Sequence, residues 1–377
     1  MKPAQNFSWL DLIRGMAALE VCLSHLRAMF FLPHGEKQGS ILISLFYFFT
    51  GFAHQAVIIF FVLSGFLISR SVYFSYLNKK FSFKNYSIDR LTRLWIVILP
   101  GLILTAIVDH LGLSMFPGSA IYSNAVPFLG DISPGKYLNG GVFLGNVFFL
   151  QTILVHTFGS NYPLWSLANE FWYYVLFPFT LFAFIDGRLM RKSLFGILAL
   201  AILIFVGKAI ALYFLVWLIG FAIVIINKRV TPFTKQWNYL LLIAAGISFL
   251  IVLFLIRINL IPDSLKDLVL ALVTGVMVYS AINAPEIPGG IQRFTKFFSG
   301  ISYSLYIIHY PLAILLSACF IQKPSFFGAK EFLLYVLAFL IILTIVFVFW
   351  FLFESRYIQL RAYIKTRLLP DRKYSMK

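Results

Sequence analysis

Runs of about twenty apolar residues recur along this 377-residue chain and restrict its fold more than any single motif does. About twenty residues of helix span the hydrocarbon of a bilayer, where only helices and closed barrels satisfy their own backbone. Candidate spans fall at 9–32, 46–69, 91–109, 163–185, 192–207, 209–227, 238–256, 265–283, 299–320 and 331–353. Only 12% of residues are charged, against roughly 25% in soluble domains. The pattern predicts an all-α polytopic membrane protein of about ten transmembrane helices. It reads as one membrane domain over 1–377, with an outer loop at 110–162 and a tail at 354–377. The first run carries Arg, Glu and His and lacks a small-residue cleavage site, so it reads as a retained helix. Cys22 and Cys319 lie in apolar runs and offer neither a disulfide framework nor a metal cluster, so no metal is expected.

A net charge of +17 raises the question of nucleic acid, but the charges follow the loops, and no nucleic-acid partner is expected. The segment GGVFLGNVFFLQTILVHT (140–157) is apolar but short and polar-tipped. If it does not cross, the cytoplasmic segments hold 22 of the 31 Lys and Arg and the outer loops hold 7. If it crosses, the later basic groups move outside, including the seven from Arg356 to Lys377, against the positive-inside rule. The expectation is therefore a re-entrant or outer-surface element at 140–157, with both termini cytoplasmic.

Inside the first run, WLDLIRGMAALEVCLSHLRAMFFL, stand Arg14 and His25. Eleven helical steps are roughly 20° past three turns and about 16 Å of rise, so the two share a face. Arg14 then lies nearer the cytoplasmic side and His25 past mid-depth. Ionisable groups in hydrocarbon cost a few kcal/mol or more each, and histidine is the commonest proton-transfer group. Asp11, at i relative to Arg14 at i+3, can pair with it. Glu20 falls on another face and suits a bond to a neighbouring helix.

Four further stretches carry polar groups. FFVLSGFLISR (60–70) places Ser64 and Gly65 in one helix and Arg70 at its end; close helix packing and close approach of a ligand both fit Gly65. Arg90 and Arg93 share a face, and their forks suit phosphate oxygens, although anchoring at the cytoplasmic surface also explains them. In YPLWSLANEFWYYVLFP (162–178), Glu170 lies about two turns in, among Trp165, Trp172, Tyr173 and Tyr174. A carboxylate among aromatics suits acid–base work, and the rings suit sugar stacking. In GISYSLYIIHYP (300–311), His309 lies near mid-membrane among hydroxyls, with Pro311 expected to distort the helix. His54, His110 and His156 have no supporting pattern, and His34 reads as solvated.

The order LDLIRG…SHLR, FFVLSGFLISR, RLTRLW, LWSLANE, ISYSLYIIHYP and Glu354 resembles the acyltransferase-3 family of integral-membrane acyltransferases over nearly the whole chain. The resemblance implies transfer of an acyl group, often acetyl, from cytoplasmic acyl-CoA to a hydroxyl of an extracytoplasmic carbohydrate. The acceptor class is O-antigen, exopolysaccharide or a lipid-linked glycan. Arg14 and His25 match the family's Arg-x10-His signature, with His25 the catalytic candidate, and Arg90 and Arg93 match its Arg-x-x-Arg pair on the acyl-donor side. Ser64, Gly65 and Arg70 match its second-helix motif, Glu170 matches its Trp-Ser-Leu-x-x-Glu pattern, and His309 matches its tenth-helix histidine. Glu20 replaces a commonly apolar residue, and Ser355 the usual Lys of a Glu-Lys-Pro-like ending. The C-terminal hydrolase-like domain of some members is not expected.

Joining the two readings gives a route. Acyl-CoA phosphates dock at Arg90, Arg93 and Arg70, the pantetheine arm runs beside Ser64 and Gly65, and the thioester reaches His25. The acceptor enters under the outer loop near Glu170. His25 then serves as base or becomes acylated, with Arg14 holding negative charge. The rivals are a transporter or flippase using Arg14, Glu170 and His309 as relay groups, an enzyme acting on a lipid or peptide amine, and a non-catalytic sensor. A reporter fused after Lys377 is expected to read as cytoplasmic; an external reading would return 140–157 to a crossing segment.

Overall fold

The computed structural model describes residues 7–35, 40–126 and 134–368. Lys2, Lys37, Arg372, Lys373 and Lys377, counted in the charge argument, lie outside them, as does 127–133 of the outer loop. In chain order the helices are α1 Ser8–Phe30, α2 Ile41–Phe49, α3 Ala53–Leu77, α4 Phe83–Met115, α5 Pro134–Tyr137, α6 Gly140–Val147 and α7 Leu164–Ile185. They continue as α8 Leu189–Arg229, α9 Lys235–Arg257, α10 Asp263–Asn283, α11 Gly289–Phe320, α12 Ala329–Leu352, a 3₁₀ turn Glu354–Arg356 and α13 Tyr357–Leu368. The described chain has no strand.

Seven helical segments are long and apolar enough to cross a membrane: Ile41–Leu77, Phe83–Met115, Leu189–Arg229, Lys235–Arg257, Asp263–Asn283, Gly289–Phe320 and Ala329–Leu368. The protein is an all-α integral membrane protein. Helices α1 and α7 are as long as α9 and α10 but fall outside this set. Asp11, Arg14, Glu20, His25 and Arg27 lower the hydropathy of α1, and Asn169, Glu170 and the Trp and Tyr residues lower that of α7. α1 runs parallel to α11, its chief packing partner, with Asp11 beside Ser299, His25 beside His309 and Phe31 bridged to Ser325.

The expected span 46–69 is two helices, because the chain breaks at Thr50–Phe52. A helix start leaves backbone N–H groups without partners, and its positive end attracts a carboxylate. Glu20 supplies that carboxylate, accepting the Phe52 N–H at 2.8 Å, and Ser24 Oγ accepts the Ala53 N–H at 3.3 Å. One turn on, Arg27 Nε donates to Thr50 O at 2.8 Å. The Glu20–Ser24–Arg27 stripe of α1 thus holds the α2–α3 corner.

The 140–157 segment enters and leaves at one place. Gly159 N–H donates to Tyr137 O at 3.3 Å, and the Tyr137 and His156 rings stack at 4.3 Å. Between these ends, α6 and its return dip along α4. Trp95 Nε1 bonds Val147 O at 2.9 Å, while Asp109 takes the Ser160 N–H and hydroxyl, both at 2.7 Å. Fourteen residues of α4 separate those two contacts, about 21 Å of depth. Eight-residue α6 rises only about 12 Å, too little to cross. Asn146 ties the element together, donating to Val142 O and His156 O and accepting from Phe158 N.

Prolines inside helices leave the carbonyl four residues back unpaired. The Ile307 carbonyl, orphaned by Pro311, accepts from Asn161 Nδ2 at 2.8 Å. The Tyr174 carbonyl, orphaned by Pro178, accepts from Tyr86 OH at 2.9 Å. α11 runs on through Pro311 as one helix, with Asn161 supplying the donor that the open carbonyl lacks. The spans expected at 192–207 and 209–227 together make up α8, two helical stretches that meet at a break at Gly207 (φ 79°, ψ 173°), a conformation open to glycine alone.

Gly65 faces α8. A Cβ there would stand 2.0 Å from Trp217 O and 3.3 Å from Gly220 Cα, so Gly65 sets the α3–α8 approach and does not face a ligand groove. Gly65→Ala is expected to destabilise the protein by about 1–3 kcal/mol through overpacking, read as a lower melting midpoint in detergent.

Candidate active site

One cavity of about 220 Å³ opens among α1, α3, α4, α7 and α11. Arg14, Ser64, Arg90, Arg93 and Glu170, five of the residues singled out from sequence, all line it. The rest of its wall includes Ser166, Tyr174, Ser302, Tyr303 and Tyr306. Arg70, Gly65, Asp11, His25 and His309 do not line it. Arg70 lies about two turns from the C-terminal end of α3, over the rings of Phe7 and Phe74.

The charged groups of the cavity differ in how far they are neutralised. Arg93 Nη2 bonds Glu354 Oε1 at 2.7 Å, and Glu354 Oε2 accepts the Ser304 N–H at 3.0 Å and hydroxyl at 2.6 Å. Glu354 is only 3% exposed. Glu354 thus already takes one donor of the Arg93 guanidinium, whose side chain stays 37% exposed and lines the cavity. Arg14 pairs loosely with Asp11 at 3.9 Å and reaches Ser299 Oγ at 3.5 Å; that hydroxyl donates to Asp11 Oδ1 at 2.9 Å. Arg90 lies over the rings of Tyr86 and Tyr174, and its buried Nε has no partner among the described residues. Its guanidinium is the least compensated positive group in the cavity.

Glu170 ends a chain of donors. Trp217 Nε1 donates to Ser64 Oγ at 3.2 Å, Ser64 Oγ contacts Tyr174 OH at 3.4 Å, and Tyr174 OH donates to Glu170 Oε1 in a short bond. Tyr174 stands at i+4 from Glu170, one helical turn on. The other aromatics expected around Glu170 face elsewhere. Trp172 Nε1 holds Phe149 O of the re-entrant segment, and Tyr173 OH holds Ile210 O of α8. Ser166 and Tyr306 form another short hydroxyl contact, with Tyr306 OH donating to Pro163 O at 3.0 Å.

One turn past Tyr306 on α11, the two membrane histidines meet. His25 Nδ1 and His309 Nε2 are 2.9 Å apart, with rings nearly parallel at 9°. His309 Nδ1 lies 2.9 Å from both Leu305 O and Tyr306 O. Carbonyls only accept, so in the neutral pair the His309 proton sits on Nδ1. Nε2 of His309 is then the acceptor, His25 Nδ1 the donor, and His25 Nε2 keeps its lone pair. His309 is fully buried, whereas His25 is half-buried, with Tyr310 edge-on against its ring at 4.9 Å. The arrangement fixes one imidazole as a base and aims its free nitrogen away from its partner.

The sequence sets Tyr174 among the aromatics near Glu170, Tyr303 and Tyr306 among the hydroxyls near His309, and Glu354 at the last helix end, but it does not show them as wall and pairing residues of one cavity. The i+4 spacing to Glu170 was a signal for Tyr174, and the i, i+3 spacing of Tyr303 and Tyr306 a signal for a shared face. Nothing local points to the Arg93–Glu354 pair, whose members are 261 positions apart. His54, for which no pattern was found, bonds Asp267 at 2.9 Å, and His34 bonds Ser44 Oγ at 3.2 Å.

A family described as an acyltransferase domain, the acyltransferase-3 family, matches residues 7–352, and the chain belongs to it. No curated protein and no solved structure matches the chain. Glu354→Ala removes the carboxylate that faces Arg93, itself 37% exposed, so it is expected to destabilise by less than the cost of about 3–5 kcal/mol for a fully buried pair. The check is thermal melting in nanodiscs, with Arg93→Ala/Glu354→Ala melting above Glu354→Ala alone.

Proposed function

We propose that this membrane acyltransferase moves an acyl group, acetyl in the expected case, from cytoplasmic acyl-CoA to a hydroxyl of a carbohydrate on the opposite face. The observation that carries the reading is the order along the parallel α1–α11 pair. The arginine-lined cavity comes first, with Arg14 beside Ser299. The His25–His309 pair follows, eleven residues of α1 or about 16 Å further.

The cavity of about 220 Å³ is smaller than the roughly 300–1,000 Å³ of drug-sized ligand pockets. It suits a thioester and part of its arm, with the nucleotide left at the inner mouth. The uncompensated guanidinium of Arg90 attracts the donor's negative groups, while Arg93, tied to Glu354, supports the wall. Arg70 extends the positive mouth. The bias of basic residues toward these ends supports a cytoplasmic mouth and cytoplasmic termini.

In the direct form of the reaction, His25 Nε2 takes the proton of the acceptor hydroxyl. The oxygen attacks the thioester carbonyl carbon, the C–S bond breaks, and the protonated His25 returns its proton to the leaving thiolate. His309 holds the tautomer that makes this possible, in the role of a positioning residue. Arg14, about 16 Å of helix before His25, holds negative charge of the donor in the cavity. Glu170, hydrogen-bonded by Tyr174, faces Arg14 in the same cavity. A relay through His309, as a transporter would need, has no free ring nitrogen, since both are engaged. No metal is required by this scheme, and the described residues hold no group of three or more His, Cys, Asp or Glu able to bind one.

Purified protein in nanodiscs is expected to transfer acyl groups from acyl-CoA to glycan. His25→Ala should lower the rate by about 10²–10⁴-fold, the usual worth of a general base. His309→Gln, whose Oε1 can replace the Nε2 lone pair, should retain more activity than His309→Leu. An unchanged rate in His25→Ala, or equal rates in the two His309 variants, would overturn the assignment.

A further inference from the structure

Separate from the cavity, four helices bring polar and aromatic groups together near the outer ends of α3, α7 and α10. Asp267 of α10 accepts the Nε2–H of His54 on both oxygens, at 2.9 and 3.0 Å, and the Tyr213 hydroxyl of α8 at 3.0 Å. The His54 ring stacks over Trp165 of α7, with centroids 6.3 Å apart and planes at 18°. Tyr213 closes the group, tilted against Trp165 at 6.0 Å and edge-on to His54 at 6.2 Å. Phe61 packs on both Trp165 and Tyr213 and also lines the cavity, so one ring separates the cluster from the candidate active site.

The geometry points to a carbohydrate subsite here, in which Asp267 and His54 hold sugar hydroxyls and Trp165 carries the face of the ring. This rests on the reading that the acceptor is a glycan, and it names the place where that glycan is held. A clip that merely joined helices would be sealed from its surroundings. The side chains of His54 and Asp267 are instead 42% and 28% exposed, and a half-open carboxylate against acyl chains is costly, so this face is wet. An ionised carboxylate offers about four lone-pair sites, of which His54 and Tyr213 take three contacts, so it can accept a further hydroxyl. Bonds to a charged acceptor are roughly twice as strong as neutral ones, and they suit a ligand whose surface is all hydroxyl. Trp and Tyr rings present broad apolar faces with few rotatable bonds, which matches the C–H face of a pyranose. The cluster lies on the same side as the re-entrant segment, opposite the arginine mouth, where an acceptor must arrive if the donor comes from within.

The test is saturation-transfer NMR on the full chain in nanodiscs, with methyl hexopyranosides and methyl 6-deoxyhexopyranosides as probes and no acyl-CoA present. Wild-type protein is expected to saturate ring C–H protons of at least one sugar when aromatic resonances alone are irradiated. Asp267→Asn, nearly isosteric, and Trp165→Leu are expected to weaken that sugar's binding at least tenfold. Melting midpoints identify a variant that has simply unfolded; if Trp165→Leu does so, Asp267→Asn and the wild-type saturation pattern decide. Absence of any sugar signal in wild type, or wild-type affinity in a folded Asp267→Asn, overturns the subsite. Acyl-CoA turnover by wild type, measured separately, reports on the proposed reaction, so a failure of one reading is not mistaken for a failure of the other.

Discussion

A polar group carried into hydrocarbon has to find its partner inside the protein, and the parallel packing of α1 on α11 is where this chain meets that requirement. Asp11 and Arg14 meet Ser299 at one level, and His25 meets His309 at another. The opposite face of α1 spends Glu20, Ser24 and Arg27 on the corner between α2 and α3. One helix therefore carries both the reactive groups and the ties that fix the next helix beside them. This explains why α1, the most polar of the long helices, is interior and not lipid-facing.

The three arginines of the cavity show how position changes the work of one side chain. Arg93 is held by a buried carboxylate, Arg14 by a looser carboxylate–hydroxyl pair, and Arg90 by ring faces alone. Only the last keeps most of its charge available to a ligand. Beside them α13 is fastened to α4, with Lys365 Nζ 2.6 Å from Asp89 and the Tyr357 ring under Arg93.

Much of this was legible in the chain where partners lie close in sequence. The Asp11–Arg14 pair follows from i, i+3 spacing, and the refusal of 140–157 to cross follows from its length and from the charges after it. Arg90 and Arg93 look alike in sequence, because what separates them is Glu354, far down the chain. Ser64 and Gly65 are neighbours, yet a helix turns them about 100° apart, one to the cavity and the other to α8. The break at Thr50–Phe52 has only Thr50 and Gly51 as a local sign, and the groups that hold it sit on another helix. His25 and His309 were each visible, but their shared tautomer depends on two carbonyls that no side-chain pattern reports.

Asn161 gives the outer loop a structural stake in α11. Its Nδ2 fills the carbonyl left open by Pro311, two residues before His309, and it also touches Thr105 of α4 at 3.1 Å. The loop is thus one of the ligands that complete the helix, in the sense that a missing rung of the backbone ladder is supplied from outside it. Lifting the loop would unpair Ile307 beside the carbonyls that orient His309. The contact therefore ties the position of this loop to the backbone that orients His309.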